Sequence, residues 1–412
     1  MFKNKAGLIH ITLIVGSLII TGCARYTSVY SLPFGEKSLR KRHIIVHRDE
    51  IWNLEKGAPV TFDDMIDTLT DRTVVYVGEI HDNTDHHRLQ LDIIKALYSK
   101  NPNLIIGMEM FQTTSQEVLD RWIRGELTED TFLDEVEWYY KWDVPYSYYK
   151  DILDFAKDKG ITVAALNIPR DLRIKVMSKG FDALTEEERK IFPTITPVTR
   201  DYKNYMKNNY RGHPGAHTPP LDAFVNTQSL WDDAMAESVL IAIDKKTLDN
   251  PQVVVITGGG HIVYGLGIPD RVYRRSSLTH AIVQPIGLEE GQAINVVQSI
   301  GTFVVGTKPS PHLSPVPRLG IAFTPREESD TGLLIRAVEE GSVAEKAGIK
   351  KGDVIMSFNG VEIKATHTLT RLIRDDIWGK TVAITVQRED EMITLEAIFP
   401  SEPFTTNDVK RL

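Results

Sequence analysis

Two histidines sit in the same local pattern, Gly78-Glu79-Ile80-His81 and Gly258-Gly259-Gly260-His261, each directly after a short apolar run. A third apolar run, Leu104–Met108, is followed by Glu109. The set Glu79, His81, Glu109 and His261 has the donor chemistry to hold a divalent metal or to work as a general acid–base pair. The glycines at 258–260 permit tight turns, and their N–H groups can cradle an anion. The plainer alternative is that Glu79 and His81 satisfy each other inside a polar core.

These residues are far apart along the chain, so a fold must gather them. Thr73–Val77, Leu104–Met108, Ile161–Leu166, Val253–Ile256 and Ala281–Ile286 are short and almost continuously apolar. That predicts strands covered on both faces of a parallel sheet. Between them, Leu89, Ile93 and Leu97 repeat at helical spacing, with Asp82 or Asp85 as the expected cap. Asp151–Lys159 and Leu230–Asp244 predict further helices. The alternation predicts an α/β fold, an open and mainly parallel sheet with helices on both faces. Ligands of such sheets bind beyond the carboxyl ends of the strands. A common strand direction brings Glu79, His81, Glu109, Asn167, Arg170 and His261 to one edge. Residues 180–225 are polar, aromatic and proline-bearing, and are expected to form a helical insertion or lid.

The 412 residues carry a formal charge of −8, which argues against nucleic acid as a partner. The chain has one cysteine, Cys23, so no internal disulfide forms. Residues 1–22 have the parts of a secretory signal: Lys3 and Lys5, an apolar run from Leu8 to Ile20, and small residues before Cys23. Ile20-Thr21-Gly22-Cys23 resembles a bacterial lipobox, which implies acylation of Cys23 and anchorage to the membrane. Ala24 after the cysteine resembles outer-membrane sorting signals. The expected location is the cell envelope, lipid-anchored at the outer membrane and facing the periplasm or the surface. Residues 23–50 are expected to be a tether, with a small basic cluster at Arg40-Lys41-Arg42. The main domain is expected over 51–305, a Pro/Ser-rich linker over 306–316, a second domain over 317–400 and a tail over 401–412.

The strings VGEIHDNTDHH, IIGMEMF, GELTEDTF, VAALNIPR, QSLWDDAMAES and ITGGGHIVYGLGIPDRVYRR occur in order over roughly residues 50–300. Together they resemble the ChaN-like haem-binding lipoproteins, a group related to the Tiki proteases and the erythromycin esterases. The resemblance implies haem as cofactor and a role in iron acquisition. Its Tiki branch implies metal-dependent hydrolysis instead, through His81 and His261 with Glu109 as third ligand or base. Whether the chain is an enzyme therefore stays open, and a non-catalytic envelope scaffold is a third reading. Haem needs an apolar slot, an axial ligand and partners for its propionates. The insertion offers Tyr202, Tyr205 and Tyr210 beside Lys203 and Lys207, with His213 and His217 following; Tyr205 and Tyr210 are the preferred axial ligands. The aromatic run from Trp138 to Tyr149 reads as core or as a contact between two copies, which admits a homodimer.

RLGIAF at Arg318–Phe323 and the later GLLIRAVEEGSVAEKAGIKKGDVIMSFNGVEI resemble a bacterial PDZ domain. A ligand's extended C-terminal segment adds to such a domain as a strand, its carboxylate held by backbone N–H groups. The resemblance assigns the carboxylate loop to Arg318, Leu319, Gly320 and Ile321, and the opposite wall to a helix over 366–374 carrying Leu369. The partner is then a peptide or a protein C-terminus. The alternative is a scaffold packed on the first domain.

Overall fold

The computed structural model describes residues 29–401, apart from 143, 193–194, 212–219, 245–248, 311–316, 326–331, 364–365 and 375–376. Cys23, His213, His217 and the tail from residue 402 lie outside the described residues. Among the described residues no helix is long and apolar enough to cross a membrane.

The first domain runs β1 (His43–His47), β2 (Ile51–Asn53), β3 (Ala58–Pro59), α1 (Phe62–Thr70), β4 (Val74–Glu79), α2 (Thr84–Lys100), β5 (Leu104–Gln112), α3 (Gln116–Ile123), α4 (Glu129–Glu135), α5 (Trp138–Lys141) and α6 (Lys150–Lys159). It continues through β6 (Thr162–Asn167), α7 (Arg170–Lys179), α8 (Glu186–Arg189), α9 (Arg200–Arg211), α10 (Leu221–Asp244), β7 (Gln252–Gly258), α11 (Ile268–Ser276), β8 (His280–Gly287), β9 (Ala293–Val297) and β10 (Phe303–Thr307). Eight strands form one sheet in the order β3-β2-β10-β8-β4-β7-β5-β6. From β10 to β6 every pairing is parallel, while β2 and β3 close one edge antiparallel.

The central strands are apolar on both sides because both sides are covered. Met65, Ile94, Leu97, Phe132 and Leu153 pack on one face of the sheet, and Met235, Val239, Ile268 and Val272 on the other. Gly160 ends α6 in the left-handed conformation and turns the chain directly into β6. The cap of α2 is Asn83, whose side chain accepts from the Asp85 and His86 N–H groups. The expected caps do other work: Asp82 accepts from Ser310 Oγ at 3.0 Å and Asp85 from the Lys308 N–H at 3.1 Å. The start of the expected linker is therefore docked on the first domain.

The tether expectation is corrected from Val29 onward. β1 pairs antiparallel with β9, and Leu32, Phe34, Ile44 and Val46 are buried. Tyr264 Oη accepts from the Leu32 N–H at 2.9 Å, and Arg40 of the basic cluster pairs with Asp201 at 2.8 Å. The alternating burial of His43–His47 is the period-two signature of a half-covered strand.

The second domain comprises β11 (Ile321–Pro325), β12 (Leu333–Val338), α12 (Val343–Ala347), β13 (Val354–Phe358), β14 (Val361–Glu362), α13 (Thr366–Arg374), β15 (Thr381–Arg388) and β16 (Glu391–Ile398). Its sheet is antiparallel in the order β11-β12-β13-β15-β16, with β14 on β13. Ser342 caps α12 and Gly348 ends it. Leu333, Ile355, Phe358, Ile384 and Phe399 form a core separate from that of the first domain. Arg371 of α13 bonds Asp130 at 3.0 Å and Asp134 at 3.4 Å in the first domain.

Candidate functional site

The strand ends do meet. Glu79 is the last residue of β4, and β7 ends beside it at Gly258. Glu109 lies where the β5–β6 register shifts between Met108 and Gln112, and Asn167 Nδ2 donates to its carbonyl at 2.9 Å. A Cβ on Gly258 would stand 3.1 Å from His81 Cε1, so any larger residue here needs the ring to give by a few tenths of an ångström. The Gly258 N–H and Thr257 Oγ1 both donate to Glu109 Oε2 at 2.7 Å. The anion cradled at the glycine turn is thus a carboxylate of the protein.

Each histidine is oriented by its own acid. His81 Nδ1 and Glu79 Oε1 are 2.6 Å apart, and His261 Nδ1 and Asp232 Oδ1 are 2.6 Å apart. His261 Nε2 then faces Glu109 Oε1 at 3.5 Å. Glu79 also accepts from Tyr149 Oη at 2.6 Å and Gln90 Nε2 at 2.9 Å, with His87 Nδ1 at 3.4 Å. Asp232 accepts from Tyr202 Oη at 2.6 Å, with Arg271 close behind. Trp142 packs edge-on against His81 and Trp231 against His261.

The electrostatics follow from this pairing. Burial raises the pKa of Glu79, but hydrogen bonds and charge from His81 and His87 outweigh it and hold the carboxyl well below its usual range. Burial lowers that of His81, while Glu79, Glu109 and Asp82 more than compensate and push it to about 9. His261 follows the same logic: burial lowers, Glu109 and Asp232 raise, and the net shift is upward.

His86 behaves oppositely. It is fully buried, its Nδ1 accepts from the Ile80 N–H at 2.9 Å, and burial pulls its pKa down to about 4. The folded state binds this proton less readily than the unfolded chain, whose histidine titrates near 6.5. Stability is therefore expected to fall as pH drops from about 6.5 to about 4, by of order 3 kcal/mol. His81 and His87, with raised pKa values, lose their contribution on the alkaline side instead and leave this window to His86 and to His280, whose pKa burial also lowers. Denaturant titrations across the window should show the slope in the native chain and a flatter one in His86→Gln.

The four residues of the expected metal set share this strand edge. Glu79 has both oxygens committed to internal donors, and Glu109 Oε2 is held by Thr257 and Gly258. Among the described residues no three His, Cys, Asp or Glu side chains are grouped to hold a metal ion. What remains is two imidazoles, each backed by a carboxylate, around Glu109.

The insertion tyrosines divide. Tyr202 and Tyr205 are buried, and their hydroxyls bond Asp232 and the Gly260 carbonyl. Both serve to brace the glycine turn and its histidine from behind. Tyr210 is half-buried against Phe224, and Lys207 is exposed. Sequence reasoning missed Asp232, Tyr149 and Gln90. For Asp232 a signal existed: Asp232-Asp233 is an acidic pair inside the apolar stretch Leu230–Ala236 of α10.

Among the described residues, two of the surface grooves bear on ligand binding. One, of about 580 Å³, lies between α7 and the start of α10 and is lined by Val176, Met177, Phe181, Ile195, Val198 and Leu230. The other, of about 510 Å³, runs between β11 and α13 and brings together Arg318, Leu319, Gly320, Ile321 and Leu369.

Residues 65–272 match the family model described as haem-binding uptake, Tiki superfamily, ChaN, and residues 317–398 match that of the PDZ domain. A solved structure of cofacial heme binding to ChaN of Campylobacter jejuni is 19% identical, covering 62% of this chain and 95% of that one with a TM-score of 0.50. Among curated relatives, a probable periplasmic serine endoprotease DegP-like of Chlamydia muridarum is 25% identical over 185 residues, 45% of this chain and 33% of its own. RETICULATA-RELATED 5, chloroplastic, of Arabidopsis thaliana is 22% identical over 223 residues, 50% of this chain and 30% of its own. The chain thus spans about a third of the length of these curated relatives. With half of its length under one family model, the chain belongs to the ChaN family of haem-binding uptake proteins in the Tiki superfamily, and it carries a PDZ domain at its C-terminal end.

Proposed function

We propose that this protein is an envelope-anchored haem-binding lipoprotein of haem or iron uptake, whose PDZ domain recruits a peptide or protein C-terminus. The observation that carries the reading is the apolar groove between α7 and α10, within the family's domain. Its volume of about 580 Å³ is in the range of small-molecule sites, and its walls are mainly aliphatic. Such walls suit the macrocycle; bound haem supplies an iron centre and two carboxylates. Tyr210, half-buried on α9 against Phe224 of α10, is the proposed axial ligand. The lipobox-like Cys23 and the similarity to periplasmic proteases support the envelope location. Pairing of two copies is part of the proposal and rests on the aromatic composition of residues 138–149 and of the insertion alone.

Haemin titrated into the detergent-solubilised full chain is expected to give a saturable optical shift. Tyr210→Phe should change the spectrum and weaken binding at least tenfold, whereas Tyr205→Phe should leave the spectrum unchanged. Absence of a saturable shift in the native chain would overturn the reading. The two carboxylate-backed imidazoles keep a hydrolase reading in view; turnover of ester or peptide substrates that His81→Ala abolishes would establish it.

A further inference from the structure

Arg170 and Arg173 stand one helical turn apart on α7, at the edge where the parallel strands end. The Arg173 guanidinium lies over the Trp231 ring at 4.4 Å, and Trp231 in turn packs on His261 at 5.0 Å between ring centres. Arg170 lies over the Tyr140 ring at 5.0 Å and donates to Tyr140 Oη at 3.2 Å. No carboxylate among the described residues pairs with either guanidinium. Burial disfavours the charge of Arg173, Glu109 favours it only as a distant charge, and the neighbouring Arg170 disfavours it further.

This is an uncompensated arrangement. Two half-buried like charges are held side by side by aromatic faces rather than by acids. A guanidinium stacked on a ring keeps its in-plane N–H edge open, and that edge matches a carboxylate with two parallel hydrogen bonds. The place also fits the groove. Arg173 and Met177 are one turn apart on α7, and Trp231 follows Leu230 on α10, so the pair sits on the same α7/α10 seam as the groove-lining Met177 and Leu230. A ligand with an apolar body in the groove would present its acidic end to these two residues.

We propose that Arg170 and Arg173 form a carboxylate clamp that recognises the acidic groups of the groove's ligand. On the haem reading, on which this inference rests, those groups are the two propionates. Lys207, exposed on α9, is then not needed to neutralise them.

The test compares haemin with haemin dimethyl ester, the same macrocycle with both carboxylates blocked, on the detergent-solubilised full chain. The native chain should bind haemin about tenfold or more tighter than the ester, since each charge-assisted hydrogen bond is roughly twice as strong as a neutral one and the two guanidinium groups make several. The double variant Arg170→Gln/Arg173→Gln should lose this preference while holding the ester as the native chain does, which also shows that the variant is folded. Arg173→Lys should recover only part of the preference, because an ammonium cannot pair in two parallel bonds. A preference that survives in the double variant, or equal affinity of the native chain for both probes, would overturn the clamp and leave the haem reading standing. Failure of the native chain to bind either probe would remove both.

Discussion

Glu79→Ala is expected to destabilise the first domain by about 3–5 kcal/mol, a large part of the roughly 5–15 kcal/mol that holds a domain together. The carboxylate is fully buried and collects four partners from three segments: His81 from the loop after β4, Gln90 and His87 from α2, and Tyr149 at the start of α6. Removal of the acid strands the phenol and the amide without an acceptor, and each buried orphan costs about 1–3 kcal/mol. It also strips His81 of the charge that holds its pKa near 9, so burial then pushes the ring toward the neutral form. Urea denaturation reads the first effect and a histidine titration by NMR the second. Glu79→Gln keeps an acceptor and the shape, so a smaller loss is expected, with the same fall in the His81 pKa. A loss under about 1 kcal/mol for Glu79→Ala would show that the hub does not carry the strand end.

The sheet was legible because its physics is local. A strand covered on both faces must be apolar at every position, and Val74–Val77 or Val253–Ile256 can hardly read otherwise. The site was legible where it sits at strand ends, because direction alone puts Glu79, Glu109 and His261 on one edge. It was not legible where helix phase decides. Asp232 faces His261 only because of the rotation of α10, and Tyr149 reaches Glu79 only through the seating of α6. The tyrosines of α9 show the same limit from the other side. Tyr202, Tyr205 and Met206 recur at i, i+3 and i+4, which is the buried stripe of an amphipathic helix as much as a row of ligands. The N-terminal segment was misjudged for a similar reason. Five residues with two buried positions carry little signal, and what seats β1 is an edge supplied by β9, about 250 residues away.

Gly320→Val is expected to abolish peptide capture by the second domain and to loosen that domain alone. Gly320 has φ +78°, where a β-branched residue is strained by about 1–3 kcal/mol. A Cβ there would also lie 2.3 Å from Ser342 Cβ, the capping residue of α12, so the loop and the helix could not both keep their places. The loop carries the backbone groups that would receive a ligand's terminal carboxylate, while Leu319 and Leu369 form the floor beneath. An array of peptides with free or amidated C-termini, probed with the full chain, measures the capture. Hydrogen exchange over 317–398 measures the loosening, and exchange over 65–272 should stay unchanged outside 129–141, where α13 meets the first domain, because the two cores are separate. Gly320→Ala in a Ser342→Gly background separates the two causes: the second change removes the clash and leaves the backbone strain. Partial return of capture in that pair assigns the rest of the loss to the left-handed turn. Full capture by Gly320→Val would show that this loop does not hold the carboxylate and that the groove takes its ligand elsewhere along β11.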